Sequence, residues 1–354
     1  MSKSLNAQIS RPPISVTKAM DKLVPNDHRV RYEQFQIRGK TYSAIVAEPA
    51  REPISTIVLI HGFPGLAFGW RVQIPYLQAQ GYRVIAPDML GYGGTDAPQS
   101  LEHYSLKSMA LDIAKLAQLF VGETGQVILG GHDWGGGLVW RIALWHPELI
   151  KGAFTVCTPF MPPSPHYSSL EEVVTKLPNF SYQTQFAGLE VEQQIQGETK
   201  LRQFFNAVYG AEGPSGEVGL KVKGGGIQFA NLPKLGQSPL LTSDELDFYV
   251  EQYMRQEAPQ MRGPLNWYRI SSLTHREELE LTEKPVLFEF PAMLITATED
   301  EALPPWMSHG MEQYFKNLKR VDVKASHWAL TEAGEQVNRE IAKWIDDILA
   351  MPAL

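Results

Sequence analysis

Residues 127 to 137 read VILGGHDWGGG, and they constrain the chain more than any other stretch. An apolar strand runs into a small-X-Asp-X-small turn, a pattern that bends a strand sharply into a helix and lifts one side chain above the sheet. Gly131 and Gly135 suit such a turn, because a Cβ at either place would crowd the adjoining strand and helix. The lifted residue is Asp133. A carboxylate there can attack a saturated carbon and form an ester, a task for which serine is poorly suited, so the turn points away from ester cleavage. Taken alone, the stretch equally accommodates an aspartate that caps the next helix after a Gly-rich turn. The rest of the chain decides between the two.

Short apolar runs alternate with helical patterns, which is how a parallel α/β sheet reads. RVRYEQFQI (29 to 37) and TYSAIVAEP (41 to 49) flank Gly39-Lys40 as an expected opening antiparallel pair. STIVLIHG (55 to 62), YRVIAPD (82 to 88) and QVILGGHD (126 to 133) are buried-strand runs, and KGAFTVC (151 to 157) is a further strand. Periodic segments near 69 to 80 and 106 to 121 are the expected covering helices. From about 160 to 285 the rhythm stops and the sequence becomes Pro-, Gly- and aromatic-rich, with helical pieces such as LRQFFNAVYG and TSDELDFYVEQYMRQ. It resumes with AMLITAT (292 to 298) and RVDVKA (320 to 325) and closes in the helical EQVNREIAKWIDDILA. The expected architecture is an eight-stranded, mostly parallel α/β sheet flanked by helices. Residues 1–159 and 286–354 form its core, and residues 160–285 are a helical lid inserted between core strands.

At 354 residues and 44% hydrophobic content, the chain can bury one large core with an insertion. A net charge of -7 gives no basic footprint for nucleic acid or an anionic membrane surface. The single cysteine, Cys157, has no partner for an internal disulfide, which fits a reducing compartment. Residues 1 to 20 lack the apolar run of a signal peptide, the C-terminal MPAL is not a common targeting tripeptide, and no segment approaches the ~20 apolar residues of a membrane helix. A cytoplasmic protein is expected.

Ligands in such sheets bind beyond the carboxyl ends of the strands. Asp133 follows one strand, Asp300 follows AMLITAT, and His327 follows the last strand. In that arrangement His327 is the expected general base, and Asp300 holds its ring in the useful tautomer and stabilises the imidazolium. Glu299 and Glu301 compete as the acid, but the short side chain of Asp300, followed by Ala302-Leu303 and Pro304-Pro305, suits a fixed inward turn. The other histidines (28, 61, 103, 132, 146, 166, 275 and 309) read as turn, surface or core residues. None has metal-ligand spacing with the carboxylates or the cysteine, so neither a metal nor a cofactor is expected. Asp88, in APDMLGYGGTD, is expected to brace the loop near the elbow.

HGFPG (61 to 65), GHDWGG (131 to 136), EDEALP and ASHWAL together make the chain resemble the soluble epoxide hydrolases of the α/β-hydrolase superfamily. The resemblance covers the chain from about residue 30. It extends into the inserted block, where FSYQTQF (180 to 186) and GPLNWYR (263 to 269) match the segments that carry the family's two epoxide-activating tyrosines. By position these are Tyr182 and Tyr268, with Tyr167, Tyr209, Tyr249 and Tyr253 as competitors in the same block. The resemblance implies a single-domain type without an N-terminal phosphatase domain. It implies conversion of a small epoxide and water to a vicinal diol through an ester on Asp133. The backbone N–H groups of Phe63 and Trp134 would serve as the oxyanion hole, with a cis bond before Pro64 aiming the Phe63 amide inward. Phe63, Trp134, Phe160, Met161, Phe186, Leu265, Met307 and Trp328 are the expected apolar pocket. No nucleic acid or membrane partner is expected, and the oligomeric state stays open. Two other readings compete. A haloalkane or haloacid dehalogenase uses the same carboxylate and histidine but must bind a halide, and the positions that would do so hold Phe63 and Trp134. The second is a non-catalytic receptor on a hydrolase scaffold.

Overall fold

The computed structural model describes residues 21 to 350, so the readings of residues 1 to 20 and of the MPAL tail lie outside the described residues. Two strands, β1 (Arg31–Ile37) and β2 (Lys40–Ala47), open the fold as an antiparallel hairpin. Its turn is Arg38-Gly39, both with positive φ (50° and 76°), the backbone that matches the natural twist of paired strands. The apolar runs that follow become β3 (Thr56–Ile60), β4 (Arg83–Pro87), β5 (Val127–His132) and β6 (Ile150–Val156). These four are buried almost throughout, as a parallel sheet covered on both faces requires. A two-stranded ribbon of β7 (Leu220–Lys221) and β8 (Gly226–Ile227) comes next, a feature the sequence reading lacks. The main sheet then resumes with β9 (Ala292–Ala297) and β10 (Leu318–Val323). Its eight strands run in the order β1-β2-β4-β3-β5-β6-β9-β10, parallel from β4 through β10.

The helices of the sheet layer are α1 (Gln73–Ala79), α2 (Leu106–Val121) and α3 (Trp134–Trp145). The span expected as one helix at 69 to 80 is split, because a short 3-10 turn at Ala67–Trp70 precedes α1. In α2 the Ser105 side chain caps the helix by accepting from the Ser108 N–H, and Met109, Ile113 and Leu116 turn inward among the buried residues.

Between β6 and β9 no strand joins the main sheet. This stretch carries α4 (Leu170–Lys176), α5 (Tyr182–Ala187), α6 (Glu190–Gln194), α7 (Gly197–Val208), α8 (Ser243–Met254), α9 (Arg262–Asn266) and α10 (Ser271–Glu278). It is tied down over the ends of β3 and β4. The Tyr253 hydroxyl donates to the Pro64 carbonyl at 2.9 Å, and the Trp267 indole donates to that of Leu90 at 3.0 Å. Arg71, 2% exposed, pairs with Glu245, 2% exposed, at 2.6 Å, and Lys22 reaches the same carboxylate at 2.8 Å. The chain ends in α11 (Ala329–Glu332) and α12 (Gly334–Ala350), the latter packing on α1. No helix among the described residues is long and apolar enough to cross a membrane.

Candidate active site

Asp133 leaves β5 with φ 53° and ψ −127°, a backbone that non-glycine residues adopt only where the surroundings enforce it. The enforcement is visible in two glycines. A Cβ on Gly135 would lie 2.1 Å from the Ile60 carbonyl oxygen, so only glycine lets the start of α3 come this close to β3. One on Gly62 would lie 2.3 Å from Asp133 Oδ1. The loop after β3 can therefore press its backbone against the carboxylate. The Phe63-Pro64 bond is cis, and the Phe63 N–H donates to Asp133 Oδ1 at 2.8 Å. The Trp134 N–H supplies a second backbone donor, at a helix N-terminus whose dipole favours negative charge.

The other carboxylate oxygen, Oδ2, faces His327 Nε2 at 3.5 Å. On the far side of the ring, Nδ1 lies 2.8 Å from Asp300 Oδ2. Asp300 is fixed in turn, since its Oδ1 accepts from the N–H groups of Ala302 (2.8 Å) and Leu303 (2.9 Å). Of the three neighbouring acids, Asp300 alone is buried; Glu299 and Glu301 are exposed. Burial by itself would raise the Asp133 and Asp300 pKa values, but the charge and hydrogen bonds of His327 outweigh it and hold both lowered. Burial likewise pulls His327 down, yet the two carboxylates, led by Asp300, push it up to about 10.

Two residues to which sequence reasoning gave no part in the site support this histidine. His132 Nε2 donates to the His327 carbonyl at 2.8 Å, with the two rings 4.8 Å apart. The Cys157 thiol reaches the same carbonyl at 3.7 Å, from a residue with φ 68°. His61 accepts from the Met89 N–H through Nε2 (2.9 Å), which leaves Nδ1 to donate to the Gly62 carbonyl (2.9 Å). Burial holds His61 and His132 down at about 4, so both are neutral at physiological pH. Candidate ligand atoms of His132, Cys157 and His327 lie within 4.8 Å of one another, a closeness the sequence spacing did not reveal. Their polar atoms are directed at the His327 carbonyl and at the two carboxylates rather than at a common centre. Asp88 takes the bracing place expected of it, accepting from the N–H groups of Ala67 (2.9 Å) and Gly94 (3.3 Å).

Tyr182, on α5, and Tyr268, just past α9, meet with ring centroids 6.3 Å apart, and the charge of Asp133 acts on both. Phe63, Trp134 and Phe186 enclose them: Phe63, Trp134 and Phe186 approach the Tyr268 ring at 5.2, 5.3 and 5.2 Å. Burial, joined by the charge of Asp133 at Tyr182 and by the charges of Tyr182 and Asp133 at Tyr268, pushes both phenols above their ordinary value and outweighs the lowering of Tyr182 by its hydrogen bonds to Gln183 and Tyr268, so both stay protonated. The competing tyrosines go elsewhere. Tyr253 bonds Pro64, Tyr209 stacks on Trp328 at 4.3 Å, and Tyr167 is exposed.

The expected pocket residues divide. Phe63, Trp134 and Phe186 line the cage, Trp328 borders the His327 ring at 5.1 Å, and Leu265 is buried one turn before Tyr268. Met307 accepts a weak contact from the Asn179 amide, 3.4 Å away. Phe160 and Met161 do not belong to this cage. Phe160 packs into a separate aromatic cluster with Trp140, Phe288 and Tyr314, because the chain leaving β6 runs along α3 before it turns toward the inserted helices. Met161 is 42% exposed, its backbone held by Arg141.

A family model described as the alpha/beta hydrolase fold matches residues 55–333. The chain is 41% identical over 343 residues to epoxide hydrolase srdG of Neurospora crassa, across 93% of this chain and 99% of that protein. It is 33% identical over 303 residues to bifunctional epoxide hydrolase 2 of Rattus norvegicus, across 84% of this chain but 53% of that longer protein, so it spans about half of the latter's length. Among solved structures, epoxide hydrolase VrEH1 of Vigna radiata superposes with a TM-score of 0.75 at 23% identity, over 90% of this chain and 98% of that one, a likeness of fold. Epoxide hydrolase A of Mycobacterium thermoresistibile gives 0.73 at 25%, over the same two shares. The chain belongs to the α/β-hydrolase fold family and, within it, groups with the epoxide hydrolases.

Proposed function

We propose that this protein hydrolyses epoxides to vicinal diols, with residues 160–285 acting as a lid over a core made of 1–159 and 286–354. The observation that carries the reading is the meeting of a buried carboxylate and two buried phenols in one aromatic cage. An epoxide carbon is electrophilic, but its oxygen leaves as an alkoxide and needs a proton. Phenols remain protonated at neutral pH and are acidic enough to supply one. The two Asp133 oxygens divide the work. Oδ1, held by the Phe63 N–H, stays as the future carbonyl oxygen, and Oδ2 attacks the epoxide carbon from the face opposite the tyrosines. The carbon–oxygen bond breaks, the freed oxygen takes a proton from Tyr182 or Tyr268, and an ester remains on Asp133.

Ester formation also retunes the histidine. Asp133 is one of the two charges that keep His327 protonated, and esterification removes it. His327 then gives up a proton as the phenolate recovers one, and it becomes a base at the moment a base is required. It takes a proton from water, the water oxygen attacks the ester carbonyl, and the oxyanion on Oδ1 rests on the Phe63 and Trp134 amides. Collapse breaks the bond between the ester carbon and Oδ2; the leaving alkoxide takes the proton still on the attacking oxygen, so the diol keeps Oδ2 and the enzyme returns to carboxylate and imidazolium.

The test is the His327→Gln variant, mixed with styrene oxide and weighed intact. Its mass should rise by one epoxide, on the peptide that contains Asp133. A wild type that forms diol beside a variant that never gains this mass would contradict the covalent route. A screen for diol formation across small aromatic, terminal and fatty-acid epoxides identifies the preferred class.

A further inference from the structure

The two phenols come from different segments, and neither segment is stable by itself. Tyr182 opens a helix of six residues that has no side-chain N-cap, and Tyr268 follows one of five. Helices this short are held by tertiary contacts. Beside the ring contacts of Tyr268 with Tyr182 and Phe186, one side chain ties the two segments by hydrogen bonds. Arg269, the residue after Tyr268, donates through Nε to the Ala187 carbonyl at 3.0 Å and through Nη2 to the Gly188 carbonyl at 2.5 Å. Ala187 is the last residue of α5 and Gly188 its C-cap. These carbonyls lie at the helix C-terminus, where partners are missing and positive charge is favoured.

The guanidinium is itself held in place. Its Nη1 meets Glu192 Oε2 at 2.9 Å and Asn266 Oδ1 at 3.1 Å. Glu192 is 2% exposed and receives Arg262 from the other end of α9 at 3.3 Å. The helix that precedes Tyr268 is thus stapled at both ends to α6, which follows α5 directly. None of Arg269, Glu192 or Arg262 is hydrogen-bonded to Asp133 or His327.

We propose that Arg269, oriented by Glu192, is a positioning residue that fixes the spacing of the Tyr182 and Tyr268 hydroxyls and so governs ring opening but not ester hydrolysis. The proposal rests on the two-phenol reading above. A fork with several donors is what these four acceptors require, and a lysine, with one charged nitrogen, cannot span them.

The test is Arg269→Lys in single-turnover experiments with styrene oxide, which separate ester formation from ester decay. Loss of the fork should slow ester formation by ~10–100-fold, the scale of misplacing a reacting group by about an ångström, and change ester decay by less than about twofold. In a Tyr182→Phe background the same substitution should add little, because the spacing no longer matters. Wild-type ester formation in a folded Arg269→Lys protein overturns the proposal. So does equal slowing of both steps, or a full additional loss in the Tyr182→Phe background. Should Arg269→Lys fail to fold, Glu192→Gln, which keeps the side chain's volume, decides on the same readouts. If Tyr182→Phe and Tyr268→Phe themselves leave ester formation unchanged, the two-phenol reading falls and the clamp with it; if they slow it and Arg269→Lys does not, only the clamp falls.

Discussion

Replacing both Tyr182 and Tyr268 with Phe should nearly abolish ester formation, while either single change should leave a slow reaction. The two rings sit 6.3 Å apart, so one epoxide oxygen can be reached by both. Losing one phenol leaves the other as donor. Losing both leaves a developing alkoxide among Phe63, Phe186 and Trp134, with the Gln183 amide, 3.5 Å from the former Tyr182 hydroxyl, as a donor too weakly acidic to give up a proton. General acid help is typically worth ~10²–10⁴-fold, or about 3–5 kcal/mol of barrier, and the double variant should lose about that much. Stability should change by less than about 1 kcal/mol per hydroxyl, since neither makes a strong hydrogen bond within the fold. Stopped-flow tryptophan fluorescence is a suitable assay, because Trp134 lies beside both Asp133 and Tyr268. In the wild type, burial keeps both phenols protonated beyond the ordinary phenol range of ~10, so ester formation should show no loss of its acid up to pH ~9. Ester formation by the double variant at the wild-type rate would refute the donor assignment.

The histidine switch predicts different pH behaviour for the two half-reactions. Ester decay should accelerate as pH rises, because neutral His327 is the base, so trapped ester should accumulate toward acidic pH; ester decay independent of pH between 5 and 9 would contradict it. The resting enzyme carries the converse dependence. A histidine raised from 6.5 to about 10 contributes stability that is complete below 6.5 and fades as pH climbs toward 10, so the melting temperature should drop over that window in the wild type and stay flatter in His327→Gln. Gly135→Ala would set a methyl 2.1 Å from a backbone oxygen that has nowhere to move, and a loss of ~1–3 kcal/mol or more in urea unfolding is expected; an unchanged midpoint would sink the elbow argument. Glu245→Met leaves Arg71, 2% exposed, without its carboxylate, and should cost about 3–5 kcal/mol; a loss under about 1 kcal/mol would mean that water reaches the pair.

The central strands were legible because they are uninterrupted apolar runs, and a strand buried on both faces leaves little else for VILGG or AMLITA to do. The helix α2 was legible from the periodicity of residues 106 to 121, which are its observed bounds. The elbow announced itself through glycines that no other residue can replace. The ribbon of β7 and β8 escaped notice because two-residue strands carry no periodicity. Phe160, expected at the pocket, packs beside α3 for a related reason: an aromatic residue after a strand reads the same whether it turns to the site or to α3. The support from His132 and Cys157 depends on the His327 carbonyl, and backbone partners leave no trace in side-chain spacing. The same holds for Arg269, which reads as a surface cation until the carbonyls it caps are seen.

The covalent role of Asp133 is tested most directly by one turnover in oxygen-18 water with enzyme in excess over an epoxide. If Oδ2 of Asp133 attacks the substrate, the first diol carries no label, and one labelled oxygen is found in the Asp133 carboxylate after digestion. If water opens the ring directly, the first diol carries the label and Asp133 does not, and the proposed mechanism is wrong.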